Sequence, residues 1–403
     1  MGDLSRVRVA GPLEPYALGF AGELRRQGYT AVSAVFQLQL MAHMSRWLAS
    51  EGLGLENLTT DVVARFVAAR REAGYTNYYS DRAVVSLMGY LRGLGVAPAA
   101  VAAVADTPVE VLLDRYGCYL SVERGLAAGT VEDYVRAVGP FLAGCVAGGE
   151  LALAQLTAGE VTAFVVARCP RQARGSAKLT VTALRSLLGF LHVDGVVDRS
   201  LIGAVPSVAS WRLAGLPRGL EPGQVRLLLG SCDRRTVAGR RDFAILNVLV
   251  RLGLRAGELA ALGLDDVDWH AGELVVNGKA RRIERLPLPA DVGEAIVAYL
   301  RDGRPGGALD RSVFVRVRAP HRGLTSGGVT QVVVSAGRRA GLGPIRSHRL
   351  RHTAATQMLQ AGAPLSEVGQ VLRHRAVQTT AIYAKVDRDA LRTLARPWPG
   401  TPS

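Results

Sequence analysis

Six residues with the chemistry of phosphoryl transfer occur in order along the second half of the chain: Arg255, Lys279, His348, Arg351, His374 and Tyr383. Phosphoryl transfer needs the non-bridging oxygens held, a nucleophile aligned and the leaving oxygen protonated. A guanidinium fork matches two phosphate oxygens, so Arg255 and Arg351 suit the clamp. His348 and Arg351 stand at i and i+3 and share a helix face, so both can address one phosphate. An imidazole can accept a phenolic proton near neutral pH, which suits His348 to activate Tyr383. Tyr383 can then attack and form a covalent intermediate. Lys279 can give a proton to a departing alkoxide, a step that arginine performs poorly because it holds its protons too tightly. Of the 49 Lys and Arg residues only Lys178, Lys279 and Lys385 are lysines, so plain positive charge is supplied almost wholly by arginine.

Taken singly these residues have bland readings. A tyrosine in an apolar helix is usually core, and Lys279 alone is an ordinary hairpin-tip lysine. His348 and His352 stand at i and i+4, a spacing that zinc ligands also use. No H-E-x-x-H glutamate follows His348, however, and no third ligand is spaced for it. Order and spacing of the whole set carry the chemical reading.

The elements that must position these residues follow from periodicity and punctuation. Pro222 opens a helix over 221–229, and the apolar run RRDFAILNVLVRL over 240–252 reads as a core helix. Gly253 and Gly257 punctuate a turn around Arg255 into a short helix. The period then changes: 267–269, 273–276 and 282–288 read as short strands, with Asn277-Gly278 as a hairpin turn and Lys279 at or just past its tip. Helices are expected over 291–300, 325–340, 348–360, 364–372 and 378–384, with a last short one over 387–395.

Residues 1 to about 206 read as helical throughout and contain an internal repeat. Leu58, Phe66 and Arg70 map onto Leu156, Phe164 and Arg168 at a constant offset, and Phe36 maps onto Tyr134 at the same offset. In the second copy helices are expected over 109–122, 130–146, 157–167 and 177–193. Thr157 and Glu160 form a capping box, and Thr59 is the corresponding cap in the first copy. The expected division is a helical DNA-binding domain over 1–107, a helical core-binding domain over 108–206, a linker over 207–219 and a catalytic domain over 220–403.

Composition sets the partner. A net charge of +15 and a pI near 10.3 point to a polyanion, most simply nucleic acid. Arg168, Arg171, Arg174, Lys178 and Arg185 in the second copy, and Arg65, Arg70, Arg71 and Arg82 in the first, are candidate phosphate contacts giving salt-dependent affinity. No apolar run reaches the roughly 18 residues of a bilayer span, and the N-terminus lacks the apolar core of a signal peptide. Cys118, Cys145, Cys169 and Cys232 form no C-x-x-C pair and read as small buried hydrophobes in a reducing cytoplasm.

Four stretches, in this order, resemble the motif boxes of the tyrosine recombinases, or phage-type integrases, which include the Xer recombinases. GLRAGELAALGLDDVDW resembles the first-arginine box, VNGKARRIERLPLP the β-hairpin lysine box, SHRLRHTAATQML the H-x-x-R box, and LRHRAVQTTAIYAKV the box that ends in the nucleophile. The resemblance is strong over 220–386 and weaker over 108–206. It implies a mainly α fold with a small antiparallel hairpin sheet in the catalytic domain, preceded by helical SAM-like core-binding domains. It also implies a site-specific recombinase that clamps duplex DNA and cleaves it through a 3′-phosphotyrosyl link. Arg255 and Arg351 would hold the phosphate and His348 would act as base. Lys279 would act as acid, His374 would bond a phosphate oxygen and Tyr383 would attack. Neither ATP nor any metal or other cofactor is implied, and strand exchange would take four protomers, a related recombinase among them in some systems. Type IB topoisomerases and telomere resolvases share the chemistry, and a non-catalytic DNA-binding protein shares the fold. Loss of a catalytic position would favour the last, and all six are present. The family commonly has Gly immediately before its second histidine. This chain has Arg373, so an altered helix junction is expected there. The extra N-terminal repeat is the other departure.

Overall fold

The computed structural model describes residues 7–99, 106–208, 219–278 and 283–373. The chain divides into two compact units, Met1–Ala99 with Leu213–Ser403, and Ala100–Arg212.

The first ninety residues of the larger unit form helices α1 (Ala17–Arg26), α2 (Ala31–Ser50), α3 (Thr60–Glu72) and α4 (Asp81–Gly93). Thr30 and Thr59 stand in extended backbone ahead of α2 and α3, and each hydroxyl accepts an N–H of the first turn. The apolar faces of these helices meet around Phe20, Met41, Leu48, Phe66 and Leu91, all buried.

The smaller unit holds α5 (Pro108–Cys118), α6 (Ala128–Gly144), α7 (Ala158–Arg168) and α8 (Arg174–Val193). At α7 the expected capping box forms: Thr157 N–H donates to Glu160 at 2.8 Å, and Glu160 N–H donates to the Thr157 hydroxyl at 3.3 Å. The helix expected over 109–122 is broken, because α5 ends at Cys118 and Tyr119–Glu123 continue as one wider π turn. The helix expected to reach residue 146 stops at Gly144. Strands β1 (Val146–Ala147) and β2 (Glu150–Leu151) then pair through Gly148 and Gly149, both at positive φ, as a two-residue primed turn requires. Of the cysteines only Cys232 is buried, and Cys118 is exposed.

The C-terminal part of the larger unit contains α9 (Pro222–Gly230), α10 (Val237–Leu252), α11 (Ala256–Ala260), β3 (Val267–Asp268), β4 (Glu273–Asn277), β5 (Ile283–Pro287), α12 (Ala290–Asp302), α13 (Ser326–Arg339), α14 (Ser347–Gln360) and α15 (Leu365–Val371). The three strands form one antiparallel sheet in the order β3-β4-β5. Asn277 pairs with Ile283, so it closes strand β4 rather than centring a tight Asn-Gly turn. Helix α10 is the core helix: Ala244, Ile245, Leu246, Val248 and Leu249 are fully buried. Helices α11, α12, α13 and α14 surround it. The expected helices over 378–384 and 387–395, and most of the linker over 207–219, lie outside the described residues.

Candidate active site

The site is built where α10 ends. Helix α10 stops because Gly253 turns to φ 60, the left-handed region that glycine enters without cost. A Cβ on Gly253 would lie 2.6 Å from Leu372 Cδ2 and 3.2 Å from Ala354 Cβ. The turn delivers Arg255 to the N-cap of α11. There its backbone N–H donates to Glu258 Oε2 at 2.8 Å, and its guanidinium Nη1 donates to the other oxygen of the same carboxylate. Glu258 is buried, whereas the Arg255 side chain keeps 36% of its surface exposed.

Helix α14 brings the second cation. Arg351 is buried, its Nη1 donating to Gly253 O at 2.6 Å and its Nη2 to Leu372 O. Both acceptors are carbonyls at helix C-termini, where partial negative charge favours a cation. The guanidinium thus joins the end of α10 to the end of α15. One turn earlier on the same helix face stands His348, open to solvent on one side. Packing against the protein and the positive charges of Arg351 and Arg255 lower its pKa, so it is neutral at pH 7 and able to accept a proton. The His352 ring meets the His348 ring edge to face at 4.4 Å. Burial, then the neighbouring His348 and Arg351, lower the pKa of His352 to about 4. Thr353 holds the helix in place by accepting Leu220 N–H at 2.8 Å. Among the described residues no three His, Cys, Asp or Glu side chains are grouped to hold a metal ion.

Arg255, His348 and Arg351 are therefore gathered in one place. Lys279, His374 and Tyr383 fall outside the described residues. Two residues join the site that motif chemistry alone did not single out. Glu258 stands three positions after the Arg255 N-cap, the spacing of a capping box. Arg373 stands where the family commonly has glycine. It takes φ 55, and its buried side chain donates to Glu258 Oε2 at 2.7 Å.

The candidate phosphate contacts in the helical modules divide by burial. Arg70 is buried and donates to Tyr78 O and Asn77 O, both at 3.1 Å, so it holds a loop and is not a surface contact. Arg185 is likewise engaged, with Val205 O at 2.8 Å and the Ser207 hydroxyl at 2.9 Å. Arg70 and Arg168 lie over Phe66 and Phe164 at the same 5.9 Å. Arg65 pairs with Glu51 at 2.7 Å, and Arg71 donates to Tyr79 O at 3.0 Å. Arg82, Arg171, Arg174 and Lys178 are exposed. No helix among the described residues is long and apolar enough to cross a membrane.

Comparison with known proteins adds an independent finding. Residues 218–389 match the model of the phage integrase family, and residues 113–195 match that of the phage integrase N-terminal SAM-like domain. The chain is 42% identical over 395 residues to the putative integrase/recombinase y4rA of Sinorhizobium fredii, covering 97% of this chain and 95% of that protein. It is 31% identical over 286 residues to the tyrosine recombinase XerD of Listeria monocytogenes, covering 70% of this chain and 96% of that protein. Among solved structures, a lambda integrase dimer bound to a COC′ core site aligns with a TM-score of 0.55 at 17% identity, over 80% of this chain and 90% of that one. The XerH site-specific recombinase bound to palindromic difH substrate aligns with a TM-score of 0.54 at 17% identity, over 82% and 93%. Likeness to these two structures is one of fold.

Proposed function

The chain belongs to the phage integrase family of tyrosine recombinases, and on that premise we propose that it cuts and rejoins duplex DNA with Tyr383 as nucleophile. Its activity is that of a tyrosine-type site-specific recombinase. The observation that supports the residue assignment is the convergence of Arg255, His348 and Arg351 at the end of α10, where the two guanidinia disfavour a positive charge on His348.

In the forward step the Tyr383 oxygen attacks the scissile phosphorus and the bond from phosphorus to the 5′ oxygen breaks. His348 takes the phenolic proton. Lys279 gives a proton to the departing oxygen, which leaves as a free 5′-hydroxyl. Arg255 and Arg351 neutralise the charge that gathers on the non-bridging oxygens, and His374 bonds one of them. The 3′-phosphotyrosyl link conserves the energy of the broken bond. A 5′-hydroxyl, from the same strand or its exchange partner, reverses the step, so the strands are resealed without ATP. Arg82, Arg171, Arg174 and Lys178 contact backbone phosphates on either side of the cut. Four protomers on two synapsed duplexes complete the exchange, in the cytoplasm where the DNA lies.

Lys279→Arg tests the acid assignment. The substrate is a nicked duplex carrying the site recovered from a random pool with the wild-type chain. The variant keeps the charge but loses the readily donated proton, so cleavage falls by about 100-fold or more. A duplex whose 5′-bridging oxygen is replaced by sulfur, a leaving group that needs no proton, restores the rate. Equal rates for Lys279→Arg and wild type on the oxygen substrate would exclude Lys279 as the acid.

A further inference from the structure

The junction after α15 combines features that ending a helix does not require. Arg373 occupies φ 55, where a side chain is strained and glycine is not. Its side chain is 3% exposed, an unfavourable place for a cation unless a carboxylate accompanies it. The carboxylate is Glu258, whose Oε2 accepts Arg373 Nη2 at 2.7 Å and the Arg255 N–H at 2.8 Å, while Oε1 accepts the Arg255 guanidinium. Arg373 Nη1 donates to Val371 O at 2.9 Å, and its own carbonyl lies 3.5 Å from Arg255 Nη2. One buried carboxylate is therefore shared by two guanidinia from residues 118 apart in sequence. Burial alone would raise the Glu258 pKa. The Arg255 N–H bond and the charges of Arg373 and Arg255 outweigh it, so the group is held ionised.

This sharing has an electrostatic consequence. A lone Arg255–Glu258 pair would be neutral, and its guanidinium would have little charge to offer a phosphate. With Arg373 inside the cluster, two cations share one anion and a net positive charge remains beside the exposed face of Arg255. There is also a geometric consequence. Arg373 directly precedes His374 and stands ten residues before Tyr383, so its bond to Glu258 ties the start of the nucleophile-bearing segment to the Arg255 turn. We propose that Arg373 is a positioning residue, which through Glu258 keeps the Arg255 fork charged and aimed at the scissile phosphate and couples that fork to the segment carrying Tyr383. The inference rests on the roles of Arg255 and Tyr383 given above.

The test compares Arg373→Gly, Arg373→Lys and wild type on the nicked duplex described for Lys279. Gel shift gives affinity, and single-turnover formation of SDS-resistant adduct at saturating protein gives rate. Glycine suits the backbone better than arginine, so a purely structural role predicts that Arg373→Gly is at least as stable and as fast as wild type. A positioning role predicts a rate about 10- to 100-fold lower with affinity within about threefold, and partial recovery in Arg373→Lys. It also predicts that Glu258→Gln combined with Arg373→Gly loses less than the two single losses together, because both act through one contact. A methylphosphonate at the scissile position removes one of the charges that Arg255 answers, so there the ratio of wild type to Arg373→Gly contracts. Adduct formation by Arg373→Gly at the wild-type rate, or a ratio unchanged on the methylphosphonate, overturns the positioning role alone. Absence of adduct from the wild-type chain overturns the recombinase assignment on which it stands.

Discussion

His348 and His352 are one helical turn apart, and both environments disfavour the charged imidazole. His348 has an open face, and packing with the charges of Arg351 and Arg255 lowers its pKa, so its neutral form, the one that can accept a proton, is favoured. His352 is held near 4 and is protonated at about 6.5 once the chain unfolds. The unfolded state thus binds more protons between those values, and stability falls as pH drops from about 6.5 towards 4. For a half-buried ring that loss amounts to about 1–3 kcal/mol. Thermal unfolding between pH 7 and 5 should show a falling Tm in the wild type and a flatter profile in His352→Gln. Equal slopes would mean that His352 is not the group responsible. The shared face of His348 and Arg351 was legible in the sequence because i and i+3 on α14 fix their spacing, whereas Arg255, at the start of α11, reaches Arg373 and Glu258 only through the fold. The partner of Arg373 was not legible, since a contact between residues 115 apart leaves no local pattern. Arg70 was misread for a related reason. A charged residue at a helix end looks solvated until the loop that covers it, here Asn77 and Tyr78, is folded over it.

At the scale of elements, the end of α10 organises the site. Gly253 terminates the helix, accepts Arg351 through its carbonyl, and leaves room for Leu372. Gly253→Ala puts a methyl group into that space at a strained φ, and is expected to cost about 1–3 kcal/mol. Because the carbonyl that Arg351 grips must then shift, cleavage should fall more steeply than stability. Denaturant unfolding beside single-turnover cleavage separates the two effects, and an unchanged cleavage rate in a folded Gly253→Ala would show that the Gly253–Arg351 bond is dispensable. Most helices were legible from their apolar period and their caps, as at Thr59 and Thr157. What escaped was short. The π turn at Tyr119–Glu123 changes pitch without a breaker residue. The 146–151 hairpin was announced by Gly148-Gly149, but a helix-forming composition around it masked the signal. At Asn277 the dipeptide suggested a tight turn, yet cross-strand pairing to Ile283 carries that residue into the strand.

For the whole molecule, the surplus of positive charge was the most legible property and the least specific. It foretold a polyanion, while burial decides which arginines remain on the surface to meet one. Arg171, Arg174 and Lys178 are exposed. Replacing all three with alanine should weaken binding by a similar factor on every duplex and reduce the slope of log affinity against log salt by roughly 2–3. An unchanged slope would place the DNA elsewhere. On the proposed mechanism this charge serves a covalent exchange at Tyr383, and Tyr383→Phe separates DNA binding from that exchange. Wild type and variant are incubated with the nicked duplex and separated in SDS. Wild type should yield a protein–DNA species that proteolysis traces to the Tyr383 peptide, whereas Tyr383→Phe should bind the duplex with wild-type affinity and yield none. An SDS-resistant species from Tyr383→Phe would mean that Tyr383 is not the nucleophile.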